Sequence, residues 1–229
     1  MDTAFNKEFY DFLSGFLTDN RKQLFEKIIQ FRTRHLTVVL EDIYQPHNAS
    51  AVLRSADLTG IQDIHIIENR NRYHVNPQVA MGSSKWLNLI HYNEKEDNTL
   101  DAYDALRSKG YKIVAAMPHS CGKTLEEMSL DHKMAFVFGT EFKGLSQAAI
   151  DKADEYLWIP MYGFTESYNI SVSAALVLFT LMEKLRKSDI RWQLTEEEKQ
   201  EILLEWTKRS VARSDIFERE FFQRKNNPF

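Results

Sequence analysis

Cysteine is nearly absent from this sequence, which has one, Cys121, among its 229 residues. A single cysteine excludes an intramolecular disulfide framework and suits a reducing compartment. Long apolar runs are missing as well: no stretch approaches the roughly 20 residues of a membrane span, and no leading run resembles a signal peptide. The sequence therefore predicts a soluble, cytoplasmic protein that does not cross a membrane.

Two common kinds of site leave no pattern in the chain. The seven histidines and the one cysteine show no metal-ligand spacing, so we expect no bound metal. No G-x-G-x-x-G follows the first predicted strand, which disfavours an ordinary dinucleotide-binding enzyme. The net charge of −4 gives no overall excess of basic residues, although a global charge says little about local patches.

Strand and helix patterns alternate through the middle of the chain. A hydrophobic content of 43% is enough for one good core with helical appendages. Predicted strands cover 36–40, 64–67, 87–91, 112–116, 134–138 and 156–159, and predicted helices cover 48–58, 100–109, 146–153 and 172–185. This alternation predicts an α/β fold, a mostly parallel sheet with helices on both faces and ligands at the carboxyl ends of the strands.

Helical patterns without strands occupy both ends of the chain. Residues 5–16 and 21–31 place apolar side chains at helical spacing. Near the other end, Thr195-Glu-Glu-Glu starts a helix as a capping box, and a last helix runs to about Gln223. We therefore divide the chain into an N-terminal helical extension (1–33), an α/β domain (34–188) and a C-terminal helical tail (189–229).

The loop after the first predicted strand carries two polar residues of interest. Asn48 lies at the predicted helix start, and Arg54 follows less than two turns later on a nearby face. Arg54 interrupts a stretch of packing residues, so its guanidinium group needs an anionic partner or a specific role. An interface salt bridge is the alternative interpretation.

Two later strand ends also carry loop motifs. Gly139-Thr-Glu-Phe-Lys-Gly144 follows the fifth strand, and its glycines suit a close approach of the backbone to a ligand. After the last strand, Pro160 ends the ladder, and Ser167 and Asn169 favour a helix start. Backbone donors at a helix N-terminus predict a site for a polar ligand, with an ordinary strand-to-helix turn as the alternative.

Together the three loops resemble the motifs of the SpoU/TrmH family of RNA ribose 2′-O-methyltransferases, in the knotted SPOUT superfamily. The matching motifs are N-x-x-x-x-x-R, F-G-T-E-x-x-G and I-P-M-x-G-x-x-x-S-x-N-x-S-x-S-A-A, in this order. The resemblance extends from about Arg32 to about Lys187. The terminal helices, with Leu-Thr-Glu-Glu-Glu and Trp206, are similar to those of the branch that methylates guanosine 18 of tRNA.

The resemblance implies a SPOUT-type fold with a C-terminal trefoil knot, in which the last segment threads a loop. It also implies S-adenosyl-L-methionine as the cofactor, bent within the knot and held largely by backbone groups. By position, the cofactor-binding residues would be Ala116, Gly139, Ile159, Met161 and Tyr168. Tyr168 is aromatic where the family usually has an aliphatic residue.

For catalysis, the resemblance implies that Arg54 activates the ribose 2′-hydroxyl group. Arginine is a poor base at its usual pKa, so proton transfer assisted by the RNA phosphate is physically more favourable. Asn48 would hold Arg54 and the ribose, and Glu141 would orient the arginine or its loop. Ser167 and Asn169 would shape the cofactor pocket and the target site.

The implied substrate is RNA, with tRNA favoured over ribosomal RNA and the D-loop guanosine at position 18 as the target. A ribosomal RNA 2′-O-methyltransferase of the same fold is one alternative, because the motifs do not separate the two. A catalytically silent RNA-binding homologue is another, although intact Asn48, Arg54, Glu141 and Asn169 argue against it. The candidate RNA contacts are basic residues in or near the flanking helices: Arg21, Lys22, Arg32, Arg34, Lys184, Arg186 and Lys187.

Association of two copies is expected from the apolar character of the C-terminal half. The predicted helix from Ile170 to Leu185 is apolar around most of its circumference, and one sheet face can cover only part of such a helix. The C-terminal helices add further apolar surface, with Trp192, Leu203, Leu204 and Trp206. Family members of this kind are dimers, and we expect a two-fold homodimer with RNA laid across both subunits.

Overall fold

The computed structural model describes residues 3–118, 122–140 and 143–226. The chain forms two compact units. The sheet unit is Thr33–Trp192, and the helical unit combines Met1–Arg32 with Gln193–Phe229. Each unit is described separately below.

The described residues form nine α-helices and six strands. The helices are α1 (Thr3–Ser14), α2 (Asp19–Ile29), α3 (Pro46–Thr59), α4 (Pro77–Ala80), α5 (Thr99–Ser108), α6 (Gln147–Asp151), α7 (Ile170–Arg186), α8 (Glu196–Lys208) and α9 (Ser214–Asn226), with a 3-10 helix at Ser83–Lys85. The strands are β1 (Leu36–Glu41), β2 (Asp63–Ile67), β3 (Asn88–Tyr92), β4 (Tyr111–Met117), β5 (Lys133–Phe138) and β6 (Glu155–Trp158).

The six strands form one sheet in the order β3-β2-β1-β5-β4-β6, and every neighbouring pair is parallel. β1 lies inside the sheet, where Val38 is opposite Ile64 of β2 and Phe136 of β5. Every residue of β1 is buried, as expected for a parallel strand covered on both faces. The predicted parallel α/β sheet is confirmed, and its strands have their carboxyl ends at one edge.

Helices cover the two faces of the sheet through two hydrophobic clusters. On one face, Val38 belongs to a cluster with Leu53 of α3 and Leu178 of α7, and α7 packs against α3. On the other face, Val39 belongs to a cluster with Tyr103 of α5. Val38 and Val39 contribute to different clusters because successive strand residues point to opposite faces.

The last strand lies between β4 and the connection that leaves β4. The Lys123 N–H donates to the Tyr156 carbonyl at 2.9 Å, and the Trp158 N–H donates to the Lys123 carbonyl at 3.0 Å. Gly122, with φ of 87°, makes the approach possible, because a Cβ atom there would lie 2.2 Å from the Tyr156 carbonyl oxygen. β6 is therefore hydrogen-bonded on both sides near Tyr156.

Two local features of the sheet unit differ from the prediction. α3 begins at Pro46 with Gln45 as its N-cap, so Asn48 lies within the first turn and not at the helix start. Proline suits the first helical position because the N–H that it lacks would have no partner there. The sequence pattern does not predict α4 or the 3-10 helix, since segments of four and three residues are too short to show helical periodicity.

The helical unit has a core of its own. Phe9 of α1 and Leu204 of α8 are buried together, and the predicted capping box at the start of α8 is confirmed. Trp206 is 1% exposed, and the Arg32 guanidinium carbon lies 5.3 Å from the centre of its ring. The expectation that Leu204 and Trp206 add exposed apolar surface is wrong, because helices from the two ends of the chain pack together and cover them.

His65 is a buried titratable group in the middle of the sheet. It lies in β2 with its Nδ1 atom 2.9 Å from the Tyr92 hydroxyl oxygen. Burial, helped by the nearby Lys109 charge, lowers the pKa of His65 to about 3. An unfolded histidine has a pKa of about 6.5, so between about pH 3 and 6.5 the unfolded chain binds the extra proton. The titration of His65 therefore makes the unfolding free energy rise with pH between about pH 3 and 6.5, and its contribution is constant above that range.

We expect His65→Gln to remove this contribution to the pH dependence. On going from about pH 8 to about pH 5, the parent should lose about 2 kcal/mol more unfolding free energy than the variant, at about 1.4 kcal/mol per pKa unit. Urea titrations of both proteins at the two pH values measure the difference. Equal losses, or a larger loss in the variant, would contradict a neutral buried His65.

Candidate functional site

A cavity opens at the carboxyl edge of the sheet, beside the ends of β4, β5 and β6. Its volume is about 490 Å³. The cavity is lined by residues of the ends of these three strands, of the segments that follow them, of α6 and of the first turns of α7: Ala116, Met117, Pro118, Phe138, Gly139, Thr140, Lys143, Gly144, Leu145, Ile150, Leu157, Ile159, Met161, Glu166, Ser167, Tyr168, Ile170, Ser173 and Val177. Loops that are far apart in sequence therefore meet at one concave site.

The residues predicted to bind the cofactor all line this cavity, namely Ala116, Gly139, Ile159, Met161 and Tyr168. Ser167, predicted to shape the same pocket, lines it too. Sequence analysis did not single out Lys143, Glu166 or Ser173, although they lie inside or next to the same motifs. The structure brings the predicted set together, while the ligand assigned to it stays a prediction.

A tight turn after β5 forms one wall of the cavity. The main chains of Thr140 and Gly144 exchange two hydrogen bonds of 3.0 Å, and Gly144 has φ of 66°. A Cβ atom at Gly139 would lie 2.2 Å from the Gly144 carbonyl carbon and oxygen, so only glycine fits there. Glu141 lies outside the described residues, and its predicted role stays a prediction.

A buried carboxylate anchors the chain just beyond this turn. Glu41, the last residue of β1, is 2% exposed. Its Oε2 atom accepts from the Ser146 N–H at 2.8 Å, and its Oε1 atom accepts from the Ser146 and Thr99 hydroxyl groups at 2.7 Å each. Ser146 is also the N-cap of α6. The single charged residue of the strand, at its end, is the sequence signal for this anchor, since a buried carboxylate needs donors.

Two asparagines connect the loop after β1 with the helix that borders the cavity. Asn169 is the N-cap of α7, where its Oδ1 atom accepts from the Ser171 N–H at 2.9 Å. Its amide nitrogen donates to Asn48 Oδ1 at 3.2 Å, and the Asn48 amide nitrogen donates to Gln45 Oε1 at 3.1 Å. Asn48 is 4% exposed and is thus fixed in position. Asn48 and Asn169, both predicted to be catalytic, are therefore neighbours in the fold, while their catalytic roles stay predictions.

Arg54 projects from α3 into solvent. Among the described residues it has no ion pair or hydrogen-bond partner, and no described group joins it to Asn48. The described part of this chain therefore offers no acidic partner for Arg54, as the alternative interpretation of an interface salt bridge would require. An exposed guanidinium group, one and a half turns from the fixed Asn48, is able to meet an anion that approaches from solvent.

Four of the predicted RNA-contacting residues make contacts within the protein, and their role toward RNA stays a prediction. Arg34 Nε lies 3.0 Å from Asp63 Oδ2. Lys184 Nζ donates to two main-chain carbonyl groups at 2.7 Å, and Arg186 Nη2 donates to a third at 2.8 Å. Arg32 is buried on Trp206 as described above. These four head groups stabilise the fold. Their positions in the sequence do not predict these contacts, because the partners lie elsewhere in the chain.

The other three predicted RNA contacts are more accessible. The Lys187 side chain is 77% exposed and lies 3.6 Å from Glu183, and the Lys22 side chain lies 4.0 Å from an exposed Asp19. Surface ion pairs of this kind contribute little to stability, so a phosphate can replace the carboxylate partner of either lysine. Arg21 is exposed, with its guanidinium carbon 5.9 Å from the centre of the Phe25 ring.

The described ranges contain neither a candidate metal site nor a helix able to span a membrane. No cluster of three or more His, Cys, Asp or Glu side chains there could hold a metal ion. Each helix within those ranges is too short or too polar to cross a membrane.

Comparison with known proteins identifies the family. The model of the SpoU rRNA methylase family matches residues 35–179, a range that contains all three cavity loops and both asparagines. The chain belongs to this family. The resemblance seen in the three loop motifs is confirmed, and the segments that carry the second and third motifs line the cavity of this SpoU family member.

The relatives of this SpoU family member cover most of its length. A protein of Borreliella burgdorferi named tRNA (guanosine(18)-2′-O)-methyltransferase is 45% identical over 206 residues, which is 90% of this chain and 93% of the relative. A protein of the same name from Thermus thermophilus is 29% identical, covering 84% of this chain and 98% of the relative. The crystal structure of an A. aeolicus TrmH/SpoU tRNA modifying enzyme has a TM-score of 0.76 and 25% identity, covering 85% and 98%.

We expect Glu41→Gln to loosen the cavity wall of this SpoU family member. The amide presents its own N–H group to the donors of Ser146 and leaves at least one of them unsatisfied. The unfolding free energy should fall by about 2 kcal/mol, in the range for a hydrogen bond to a buried charged group.

Urea unfolding measures this change, and Glu127→Gln is the matched control. Glu127 also accepts from a threonine N–H and hydroxyl group, but on an exposed turn. The control should be affected less. A Glu41→Gln protein as stable as its parent would contradict the anchoring role.

Proposed function

We propose that this chain is a cytoplasmic, S-adenosyl-L-methionine-dependent RNA methyltransferase that modifies the ribose 2′-hydroxyl group of guanosine 18 in the D-loop of tRNA. The cavity at the carboxyl edge of the sheet carries the proposal, because two of the three family motifs line it and Asn48 of the first motif is hydrogen-bonded to Asn169 at its border. The relatives that cover most of the chain bear names for this reaction, at up to 45% identity. They favour tRNA over a ribosomal RNA substrate.

The cavity fits the proposed cofactor in size and chemistry. Its volume of about 490 Å³ lies in the usual range for small-molecule sites, about 300 to 1,000 Å³. Leu157, Ile159 and Val177 offer an apolar wall for the adenine ring. Lys143 and Glu166 offer opposite charges for a ligand with both a carboxylate and an ammonium group. S-adenosyl-L-methionine, when bound, would supply a methyl group made electrophilic by its sulfonium sulfur.

The protein's task is then to orient the ribose oxygen and to remove its proton. Arg54 would bind the 2′-oxygen and a neighbouring phosphate, and the phosphate would accept the proton, since an arginine keeps its own at neutral pH. Asn48, fixed by Asn169 at 3.2 Å, would hold the ribose. Glu141 would orient the arginine or its loop, and Ser167 would shape the pocket wall. Positioning of this kind supplies much of the rate of a transfer between two bound groups.

We expect Arg54→Lys to lower turnover about 100-fold or more, because a lysine keeps the charge but cannot bind two oxygens with one planar fork. Methyl transfer to a tRNA transcript and calorimetric titration with S-adenosylhomocysteine are the two measurements. Cofactor affinity should be unchanged, since Arg54 does not line the cavity. Arg107→Lys, at an ion pair with Asp154, is the control and should keep full turnover. Equal turnover in Arg54→Lys would contradict the proposed role.

Methyl transfer and RNA contact would be distributed over the predicted domains. We assign the helical extension to 1–33, the methyltransferase domain to 34–188 and the tail to 189–229, with the predicted RNA contacts in the extension and at the two ends of the methyltransferase domain. Arg21, Lys22 and Lys187 are the predicted contacts with accessible head groups. The position of β6, hydrogen-bonded to β4 on one side and to Lys123 on the other, supports threading of the last segment through the β4–β5 connection, the proposed trefoil knot.

The exposed side of α7 supports a homodimer. Its buried face includes Ala174, Leu178 and Leu181, while Leu176 and Phe179 are 38% and 65% exposed on the opposite side. Large apolar side chains repeated along an exposed helical stripe are typical of an association surface. A second copy could cover this stripe around a two-fold axis.

We expect the parent to have about twice the chain mass of 26.9 kDa in solution, and Phe179→Asp to dissociate it, because a carboxylate would be desolvated at the contact. Light scattering at low micromolar concentration measures the mass. Leu100→Asp replaces an exposed apolar residue of α5, on the other sheet face, and should leave the dimer intact. A monomeric parent with full methyl-transfer activity would contradict the dimer.

A further inference from the structure

The loop after β2 is held against the loop after β1 by one carboxylate. Asp42 Oδ1 accepts from three consecutive main-chain N–H groups, those of Asn69 and Arg70 at 2.8 Å and that of Asn71 at 3.2 Å. The Asn71 side chain donates back to the Asp42 carbonyl at 2.9 Å. Asp42 has φ of 55°, a conformation rare for residues other than glycine, which the four hydrogen bonds stabilise.

The other end of this loop is fixed to the start of α3. The Asn76 N–H donates to Ser50 Oγ at 2.7 Å, and Ser50 Oγ donates to the Pro46 carbonyl at 2.6 Å. Ser50 lies two residues after Asn48, which we assign to the catalytic site. The segment 69–76 therefore has a defined path beside the helix that carries both Asn48 and Arg54.

Side chains along this segment alternate between the protein and solvent. Asn71 and Tyr73 are partly buried, with Asn71 bonded to Asp42 and Tyr73 packed against the core cluster of the sheet unit. Arg70 and Arg72 are exposed. Arg70 and Arg72 are two residues apart on one anchored loop, so the two guanidinium groups form one exposed edge of that loop.

The two arginines on this edge have no acidic partner among the described residues. Of its seven arginines, Arg34, Arg107 and Arg186 form ion pairs. Among the described residues, Arg54, Arg70, Arg72 and Arg191 have no ion-pair partner. Three of those four lie in the segments that follow the neighbouring strands β1 and β2.

Three carboxylates at the ends of β1 and β2 are bound by donors within the protein. Asp42 is bound to main-chain N–H groups, Glu41 is buried on hydroxyl and N–H donors, and Glu68 is bound by the Tyr73 N–H and by His91. None of the three forms an ion pair with Arg70 or Arg72. Tyr44, two residues past Asp42, is 70% exposed, and an exposed aromatic ring near cations is typical of contacts with single-stranded nucleic acid.

We infer that Arg70 and Arg72 form a phosphate-binding edge that guides the RNA strand across the loop after β2 to Asn48 and Arg54. This inference rests on the proposed function, since it assigns the partner of the same site. Because the loop is already ordered in the free protein, RNA binding does not lose free energy to ordering it. Two phosphate contacts would make part of the affinity depend on salt and not on base sequence.

The test is the double variant Arg70→Gln with Arg72→Gln, assayed with an unmodified tRNA transcript over a series of salt concentrations. The slope of log affinity against log salt should fall by about 1 for each arginine removed. KM for the RNA should rise, while kcat at saturating RNA and affinity for S-adenosylhomocysteine stay at parent values. Both side chains are exposed and unpaired within the described residues, so the fold should be retained.

The matched control is Lys109→Gln with Lys152→Gln, which removes two exposed charges from residues at the ends of α5 and α6, next to the amino ends of β4 and β6. It should keep the parent salt slope and KM. A double arginine variant that behaves like this control, in a parent that methylates RNA, would overturn the phosphate edge alone. A parent that binds the RNA but transfers no methyl group would instead overturn the proposed function.

Discussion

Parallel pairing of all six strands is the constraint on which the rest of the structure depends. It puts the loops after β1, β2, β4, β5 and β6 at one edge, where hydrogen bonds from three side chains join them. Glu41 links the end of β1 to the start of α6, Asp42 links β1 to the loop after β2, and Asn169 links the start of α7 to Asn48. In each case a polar group from one loop satisfies groups of another, so the site is assembled by satisfying buried donors and acceptors.

Much of this could be predicted from the sequence, because apolar strand patterns and loop motifs are local. The strands were located to within about a residue or two, and the loops with Gly139, Ile159 and Tyr168 meet in one cavity as expected. The anchors could not be predicted, since Glu41 reaches a serine 105 residues away. The burial of Arg32 could not be predicted for the same reason, because its aromatic partner Trp206 lies near the other end of the chain.

Charge is distributed so that an acidic chain can still present a basic surface. Many of its cations are neutralised by nearby carboxylates or held by carbonyl groups, which stabilises the fold and removes them from recognition. Three of the four sheet-unit arginines that lack an ion-pair partner among the described residues lie in the segments after β1 and β2, and Asn48 lies in the first of these segments. A net charge of −4 therefore places no limit on local attraction of a polyanion.

The most direct test of the account is to map the product. The purified chain would be incubated with methyl-labelled S-adenosyl-L-methionine, a chelator, and either full-length tRNA transcripts or ribosomal RNA, and the labelled nucleotide would be located. The account predicts a single 2′-O-methyl group on guanosine 18 of tRNA without added metal. Label confined to ribosomal RNA, on a base, or absent from both RNAs would contradict it.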